Sequence, residues 1–444
     1  MKFNFKYCLF TILVMSFSWG FAQGKMQLNG GSIKQKTKFE FHNNIIILPV
    51  EINGISLNFI LDTGASKTII FTLEDSDSLV LNNTKIVELR GLGLGEPIEA
   101  MISENNQIKL GNIIGYNQTI YMVFDEHFDF SSKMGKTIHG IIGYDLLKDF
   151  VVTLNFNDKS IIFKNPEEFK PPKSKKFEKL DLSFHNNKPY IESYITIKDT
   201  TTYFSKMLID TGNSDALWVF EDEQKGITTP TPFFRDHLGE GLSGSIEGNR
   251  TKIKSFQFGS FTFSNPTVAF LDSTSTTYAR IYEERNGSIG TQILNRFKMI
   301  LDYPNKQIYF KKNRSFNLEF KYNRSGIELS HFGKTLVQKQ KITTDIPYSK
   351  GESTNNRTIE FLVDYMYEFK PIYGIYKIRK NSPAEIAGLK VNDILNKVNG
   401  KNAYEFELEE INAIFSGDID KNISLHVERN GIILYYEFRL KDLL

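Results

Sequence analysis

Two aspartates stand in the same local setting. Phe59-Ile60-Leu61-Asp62-Thr63-Gly64-Ala65-Ser66 and Met207-Leu208-Ile209-Asp210-Thr211-Gly212-Asn213-Ser214 each read as an apolar strand running into a carboxylate in a tight turn, and the aspartates are 148 residues apart. A carboxylate that ends a strand buried on both faces sits where water is scarce. The following glycine lets the chain turn and lets backbone N–H groups approach. Two such carboxylates brought together cannot both ionise easily, so they share a proton. The ionised member is a general base for water and the protonated member a general acid.

The repetition extends beyond the motifs, as a duplicated architecture requires. His139-Gly140-Ile141-Ile142-Gly143 and a short helical run to Phe150 follow Asp62, with Gly143 81 residues after it. Asn286-Gly287-Ser288-Ile289-Gly290 and a run to Phe297 follow Asp210, with Gly290 80 residues after it. Leu110-Gly111 and Phe258-Gly259 are again 148 apart. Each block ends in a hairpin-like pair of strands, 151–156 with 161–164 and 299–303 with 307–311.

This pattern, apolar-apolar-Asp-Thr-Gly-x-Ser followed by apolar-apolar-Gly and a short helix, resembles the retropepsin and pepsin type of aspartic protease. Two copies look like its bilobal form over roughly residues 40 to 312. The resemblance implies a pair of β-barrel lobes, hydrolysis of peptide bonds by water held between Asp62 and Asp210, and a peptide or protein substrate. It also implies that Thr63 and Thr211 lock the two active-site loops together. By the same resemblance Gly64 and Gly212 are expected to form the tight turns, and Ser66 and Ser214 to hydrogen-bond the outer carboxylate oxygens. Asn213 stands where the pepsin type often has Ser or Thr. Glycine-rich stretches between the aspartate and the later glycine, with Gly93 and Gly95 in one half and Gly241 and Gly244 in the other, are the candidate flaps. Two ordinary turns are the plainer reading of them, and no counterpart of the pepsin flap tyrosine is evident.

The elements that must position these residues follow in order. Lys2, Lys6, an apolar run from Cys8 to Phe21 and small residues before Gln23 predict a secretory signal peptide over 1–22, cleaved after Ala22. The run is short for a membrane span, so no stable span is expected after cleavage. A periplasmic or extracellular bacterial setting follows. Asn53-Gly54 predicts a hairpin whose outgoing strand leads to Asp62. Asn165 to Pro189, with four prolines and many lysines, reads as the linker between lobes. The expected domains are 23–170, 171–320 and 321–444.

The last of these has a different grammar. Ser382-Pro383-Ala384-Glu385-Ile386-Ala387-Gly388 carries its own helix start and stop signals. A second helix over 407–415 puts Leu408, Ile411 and either Ile414 or Phe415 on one face, and Asn430-Gly431 turns a closing hairpin. The run Ser-Pro-Ala-x-x-Ala-Gly-Leu with the following Asn392-Asp393-Ile394 resembles the bacterial PDZ domain, a small α+β fold. The resemblance implies a peptide ligand added as a strand, with Gly326 and Ile327 as the candidate carboxylate loop. Residues 330 to 373 are an insertion for such a fold, placed where it could cover the groove.

Composition excludes other chemistries. With 54 Lys+Arg against 52 Asp+Glu there is no basic surplus for nucleic acid. The single cysteine, Cys8, lies in the leader, which leaves no thiol chemistry or disulfide after cleavage. The seven histidines form no His-Glu-x-x-His, and no Gly-x-Ser-x-Gly occurs. No metal and no cofactor are expected. A non-catalytic peptide-binding or scaffold protein on the same folds is the alternative. A glycosidase is a poorer one, because its carboxylates stand about 5 Å or more apart.

Overall fold

A computed structural model describes residues 24–74, 78–89, 98–123, 129–198, 201–241, 244–344 and 361–444. The predicted leader, and Gly93 and Gly95, lie outside the described residues. Among the described residues the strands make four sheets, of nine, six, ten and six strands. The molecule is mainly β: two lobes, a sheet shared between them, and a C-terminal α+β domain.

Each lobe is built around its motif strand. Ile55–Leu61 and Thr202–Ile209 are apolar toward their ends and buried there. Each runs antiparallel to the preceding strand and parallel to a later one. In lobe 1, Ile60 lies between Ile47 and Ile141, and in lobe 2, Leu208 lies between Tyr190 and Ser288. The predicted turn at Asn53-Gly54 is formed, with positive φ at both residues, the geometry that suits the twist of a two-residue hairpin. The glycine after each parallel strand is dictated by close approach. A Cβ on Gly143 would lie 2.0 Å from the Asp62 carbonyl oxygen, and one on Gly290 2.2 Å from that of Asp215.

The lobes are not joined by a linker alone. Val151–Asn155 of lobe 1 pairs antiparallel with Phe297–Asp302 of lobe 2 inside the six-stranded shared sheet. One apolar core runs from Met26 to Phe310 through both lobes. The expected linker is correspondingly shorter than 165–189. Glu178–Asp181 is a strand of the shared sheet, and Ser183–His185 pairs with Lys188–Thr196. Backbone pairing with distant strands overrides the proline- and lysine-rich composition there.

The C-terminal domain has its own core, from Ile327 to Leu440. Ser382 caps the helix Pro383–Ala387 by accepting from the Glu385 amide, and Gly388 closes it at φ 98°. Glu385 reaches back to the Asn381 amide, one residue before the expected partner. The second helix is Leu408–Phe415, with Leu408, Ile411 and Phe415 buried. The insertion continues the strands Ile327–Thr344 and Phe361–Ile378 as a two-stranded ribbon. Its described part is amphipathic: Leu336, Tyr365, Tyr367 and Phe369 are exposed and face-sharing by register, while Lys339 and Lys370 pair with Glu368.

Candidate active site

The ends of the two motif strands meet. The Asp62 amide donates to Ile142 O and the Asp210 amide to Ile289 O, at 2.9 and 3.1 Å, which anchors each turn to its parallel strand. Across the interface, Thr63 Oγ1 donates to Ile209 O at 2.5 Å and Thr211 Oγ1 to Leu61 O at 2.7 Å. Both threonines are fully buried. These bonds tie each loop to the other lobe's strand and leave the carboxyl groups of Asp62 and Asp210 facing each other within hydrogen-bonding reach. The position a Cβ on Gly64 would take is 3.1 Å from Asp62 Oδ1 and 3.2 Å from Asp210 Oδ1. A side chain there would crowd both carboxyl groups and move them by a few tenths of an ångström.

Electrostatics follow from this enclosure. Burial, then the neighbouring Asp210 carboxylate, pushes Asp62 up to about 7, against the Gly64 amide, which donates to Oδ1 at 2.6 Å, and Lys188. Burial also raises Asp210, opposed by Arg285, Ser288, Lys188 and the Gly212 amide. Lys188 itself is pushed down by burial and by Arg285, although both aspartates pull it up. A coupled, desolvated carboxyl pair that titrates above the ordinary range can hold one proton between two acids near neutral pH.

The serines of the motifs do not do what was expected of them. Among the described residues, neither the Ser66 nor the Ser214 hydroxyl bonds a carboxylate. Ser66 lines the cleft, and Ser214 offers its carbonyl to Asn44 Nδ2 at 3.2 Å. The hydroxyl beside Asp210 belongs to Ser288 on the parallel strand, which also accepts from Arg285 Nη2 at 2.8 Å. Lys188, Arg285 and Ser288 were not singled out from the sequence. The internal repeat carries their signal, since isoleucines stand at the equivalent positions of lobe 1.

A cavity of about 250 Å³ opens beside the pair. Gly64, Ser66, Lys188, Asp210, Glu240 and Gly241 are among its walls. Gly241 pairs with Gly244 near the tip of the hairpin formed by Phe234–Gly241 and Gly244–Lys252. Of the candidate flap glycines, Gly241 therefore reaches the cleft. A second cavity of about 400 Å³ adjoins the first through Gly212, Asn213, Trp218 and Glu240, and it continues to Glu328, Tyr376 and Arg379 of the C-terminal domain.

That domain is docked on the lobe-2 hairpin. His237, nearly enclosed, contacts Glu240 through Nε2 at 3.2 Å and Glu328 through Nδ1 at 3.1 Å. Tyr376 donates to Glu328. Arg250 joins Asp215, three residues past Gly212, to Asp236 of the hairpin, and Arg379 lies 3.7 Å from Asp236.

The expected carboxylate loop is closed. The amides of Ser325 and Gly326 donate to Asn323 Oδ1, and that of Ile327 to Ser325 Oγ, each at 3.0 Å. Gly326 is also pressed against Ser382. With their donors satisfied internally, Gly326 and Ile327 have none to offer a peptide carboxylate. Between the strand that begins at Ile327 and the helix Leu408–Phe415, lobe 1 inserts the end of its helix Phe130–Met134. A Cβ on Gly135 would be 3.1 Å from His331 Nε2 and 3.2 Å from Leu408 Cβ.

Among the described residues no cluster of His, Cys, Asp and Glu could hold a metal ion, and no helix is long and apolar enough to cross a membrane.

Residues 48–146 match the family model described as aspartyl protease, and residues 374–429 match that of the PDZ domain. The first match contains Asp62; Asp210 lies outside it and is related to Asp62 by the fold. The aspartic proteinase from Irpex lacteus is similar over 64% of this chain and 99% of its own, at 13% identity and a TM-score of 0.41. No curated protein matches.

Proposed function

We propose that this chain is an exported aspartic endopeptidase whose C-terminal PDZ domain takes part in substrate recruitment or regulation. The observation that carries the reading is the facing pair Asp62 and Asp210, each at the end of a buried strand and cross-locked through Thr63 and Thr211. Such a pair shares one proton. The ionised carboxylate takes a proton from a water, which attacks the peptide carbonyl. The protonated carboxyl donates to the carbonyl oxygen as it becomes negative, and a proton then passes to the leaving amine. No covalent intermediate is needed. The enclosure of the pair supports this chemistry, because hydrogen bonds and charges act strongly where water is excluded. Export is inferred from the basic and apolar leader of the sequence.

The test is cleavage of unfolded casein by the mature chain between about pH 3 and pH 8, the span over which a shared-proton pair titrates. Wild type is compared with Asp62→Asn and Asp210→Asn. Cleavage by wild type and its loss in both variants, with unchanged circular dichroism, is the expected result. Folded wild-type protein that cleaves nothing across this range would overturn the active-protease reading in favour of a non-catalytic peptide-binding protein or a latent enzyme on the same fold.

A further inference from the structure

The pseudo-twofold that relates the two motifs breaks down at three positions around the carboxylates. Strand pairing fixes two of them. Ile60 and Leu208 are equivalent, since each stands two residues before its aspartate. Ile141 pairs with Ile60, and Ser288 with Leu208. Ile47 and Tyr190 pair with the same two residues, so Ile45 is the counterpart of Lys188. The third lies two residues before the conserved-in-both-halves glycine: Ile138 before Gly140, Arg285 before Gly287. Lobe 1 thus has three isoleucines where lobe 2 has a lysine, an arginine and a serine. Ile45 and Ile138 are buried in an apolar cluster, with Ile141 packed against it.

The polar set is assembled, not scattered. Arg285 is 5% exposed, and its Nη2 donates to Ser288 Oγ at 2.8 Å. Its guanidinium also lies over the Phe220 ring at 5.1 Å, which fixes its plane. Lys188 and Asp210 line the same small cavity. On the other side of the pair there is no counterpart cation at the equivalent positions. A positive charge beside one member of a carboxyl pair favours ionisation of that member. Burial alone pulls the other way, since Asp210 is the more enclosed of the two. The basic groups are what offset it.

We propose that Asp210 is the carboxylate that stays ionised and activates water, that Asp62 carries the shared proton, and that Arg285 is the positioning residue that sets this order through Ser288, with Lys188 acting from the cleft. This assignment rests on the pair being the hydrolytic centre proposed above. The other titratable groups near Asp210 are Asp62 itself and Tyr190, which hydrogen-bonds Arg285. Tyr303 lies near Asp62, and Lys67 and Glu240 stand on the cavity wall. Among these, Lys188 acts on both carboxyl groups, whereas Arg285 is drawn to Asp210 ahead of Asp62 and the Ser288 hydroxyl acts on Asp210, so Arg285 and Ser288 carry the asymmetry.

The experiment reads the carboxyl groups without turnover. Isotope-labelled aspartate in the full mature chain is titrated by NMR in Asp210→Asn, which leaves Asp62, and in Asp62→Asn, which leaves Asp210. Asp210 is expected to ionise at lower pH than Asp62, and the reverse order overturns the proposal. In the Asp62→Asn background, Ser288→Ala, Lys188→Met and Arg285→Met are each expected to move the Asp210 titration up by about one pH unit, the lower end of the effect of a nearby charge or hydrogen bond. Arg285→Lys is expected to restore part of it. If Arg285→Met does not fold, the cleft-facing Lys188→Met and the small change Ser288→Ala carry the test. An unmoved Asp210 titration in those two folded variants overturns the proposal. In otherwise wild-type enzyme the acid limb of kcat/KM should move in the same direction. A wild type without peptidase activity refutes the hydrolytic reading, while the order of ionisation is still decided by the NMR titrations.

Discussion

The amide of Thr63 donates to the hydroxyl of Thr211 at 3.0 Å, and the amide of Thr211 donates to the hydroxyl of Thr63 at the same distance. Each hydroxyl also donates to a carbonyl of the opposite lobe. Four buried hydrogen bonds therefore cross the interface at two residues, and the aspartates are the next residues back. Thr211→Ala removes two of these bonds and strands the buried Thr63 amide and the Leu61 carbonyl. The expected loss is roughly 2–4 kcal/mol, from net bond energies plus an unsatisfied buried group, measured by urea unfolding. Thr211→Ser keeps the hydroxyl and should stay within about 1 kcal/mol of wild type.

Gly212 offers a way to displace the pair without touching a charge. A Cβ there would lie 2.5 Å from Asp62 Cγ and 2.6 Å from its Oδ2. Gly212→Ala must push the Asp62 carboxyl aside. A misplacement of about 1 Å can cost on the order of 100-fold in rate, and a loss of that size in kcat/KM is expected. An alanine variant that cleaves at the wild-type rate would show that the carboxyl position is not under this constraint.

His237 couples the C-terminal domain to the cleft in a pH-dependent way. Burial alone would push it down, but its bonds to Glu240 and Glu328 outweigh burial and raise it to about 9 from 6.5. A raised histidine contributes stability that is fully present below the unfolded value and is lost as pH rises through the folded one. Docking should therefore weaken from about pH 6.5 to about pH 9, by on the order of 2 kcal/mol after allowing for solvent screening. In His237→Gln this alkaline loss should be absent, as read by hydrogen exchange of the hairpin amides across that window.

Glu240 bounds the same contact on the acid side. Burial would raise it, but His237 and Lys133 hold it at about 2, below its ordinary 4.5. A depressed carboxyl contributes stability that is present above the unfolded value and is lost as pH falls through the folded one. The hairpin contact should loosen between about pH 4.5 and pH 2. Glu240→Gln should flatten that loss, and an unchanged acid profile would remove Glu240 from the contact.

Gly135 is a close contact between lobe 1 and the C-terminal domain. It ends its helix at φ 70° and is wedged between His331 and Leu408. Gly135→Val adds a β-branched side chain at a left-handed position, at a backbone cost of roughly 1–2 kcal/mol, and into occupied space. Faster hydrogen exchange is expected in Phe130–Met134 and in the strand from Ile327, with the shared sheet unaffected. Uniform destabilisation of the whole chain would instead mean that the contact is part of the global fold.

The features legible in the sequence are those written in a few consecutive residues. An apolar strand that ends in Asp-Thr-Gly declares a turn and a desolvated carboxylate, and its repetition declares two lobes. Asn53-Gly54 and Asn430-Gly431 both take up positive φ. Ser382 and Gly388 bound their helix because capping is satisfied within a turn. Thr63 and Thr211 bind each other's loops, as the resemblance implied.

Tertiary structure decided what depends on which distant backbones pair. Ser66 and Ser214 follow their aspartates closely in the chain, yet Ser288 is the hydroxyl beside Asp210, because a parallel strand 78 residues on lies against the motif strand. The Gly326 loop has the glycine a carboxylate site wants, but Asn323 and Ser325 already take its amides. The hairpin clamp of His237, Glu240 and Glu328 joins groups from two domains. The sequence by itself determined the two carboxylates and their turns, since those need only local geometry and hydrophobic patterning. The charges that separate Asp210 from Asp62 came from the three-dimensional register, because a residue's electrostatic neighbours are chosen by sheet pairing and packing rather than by distance along the chain.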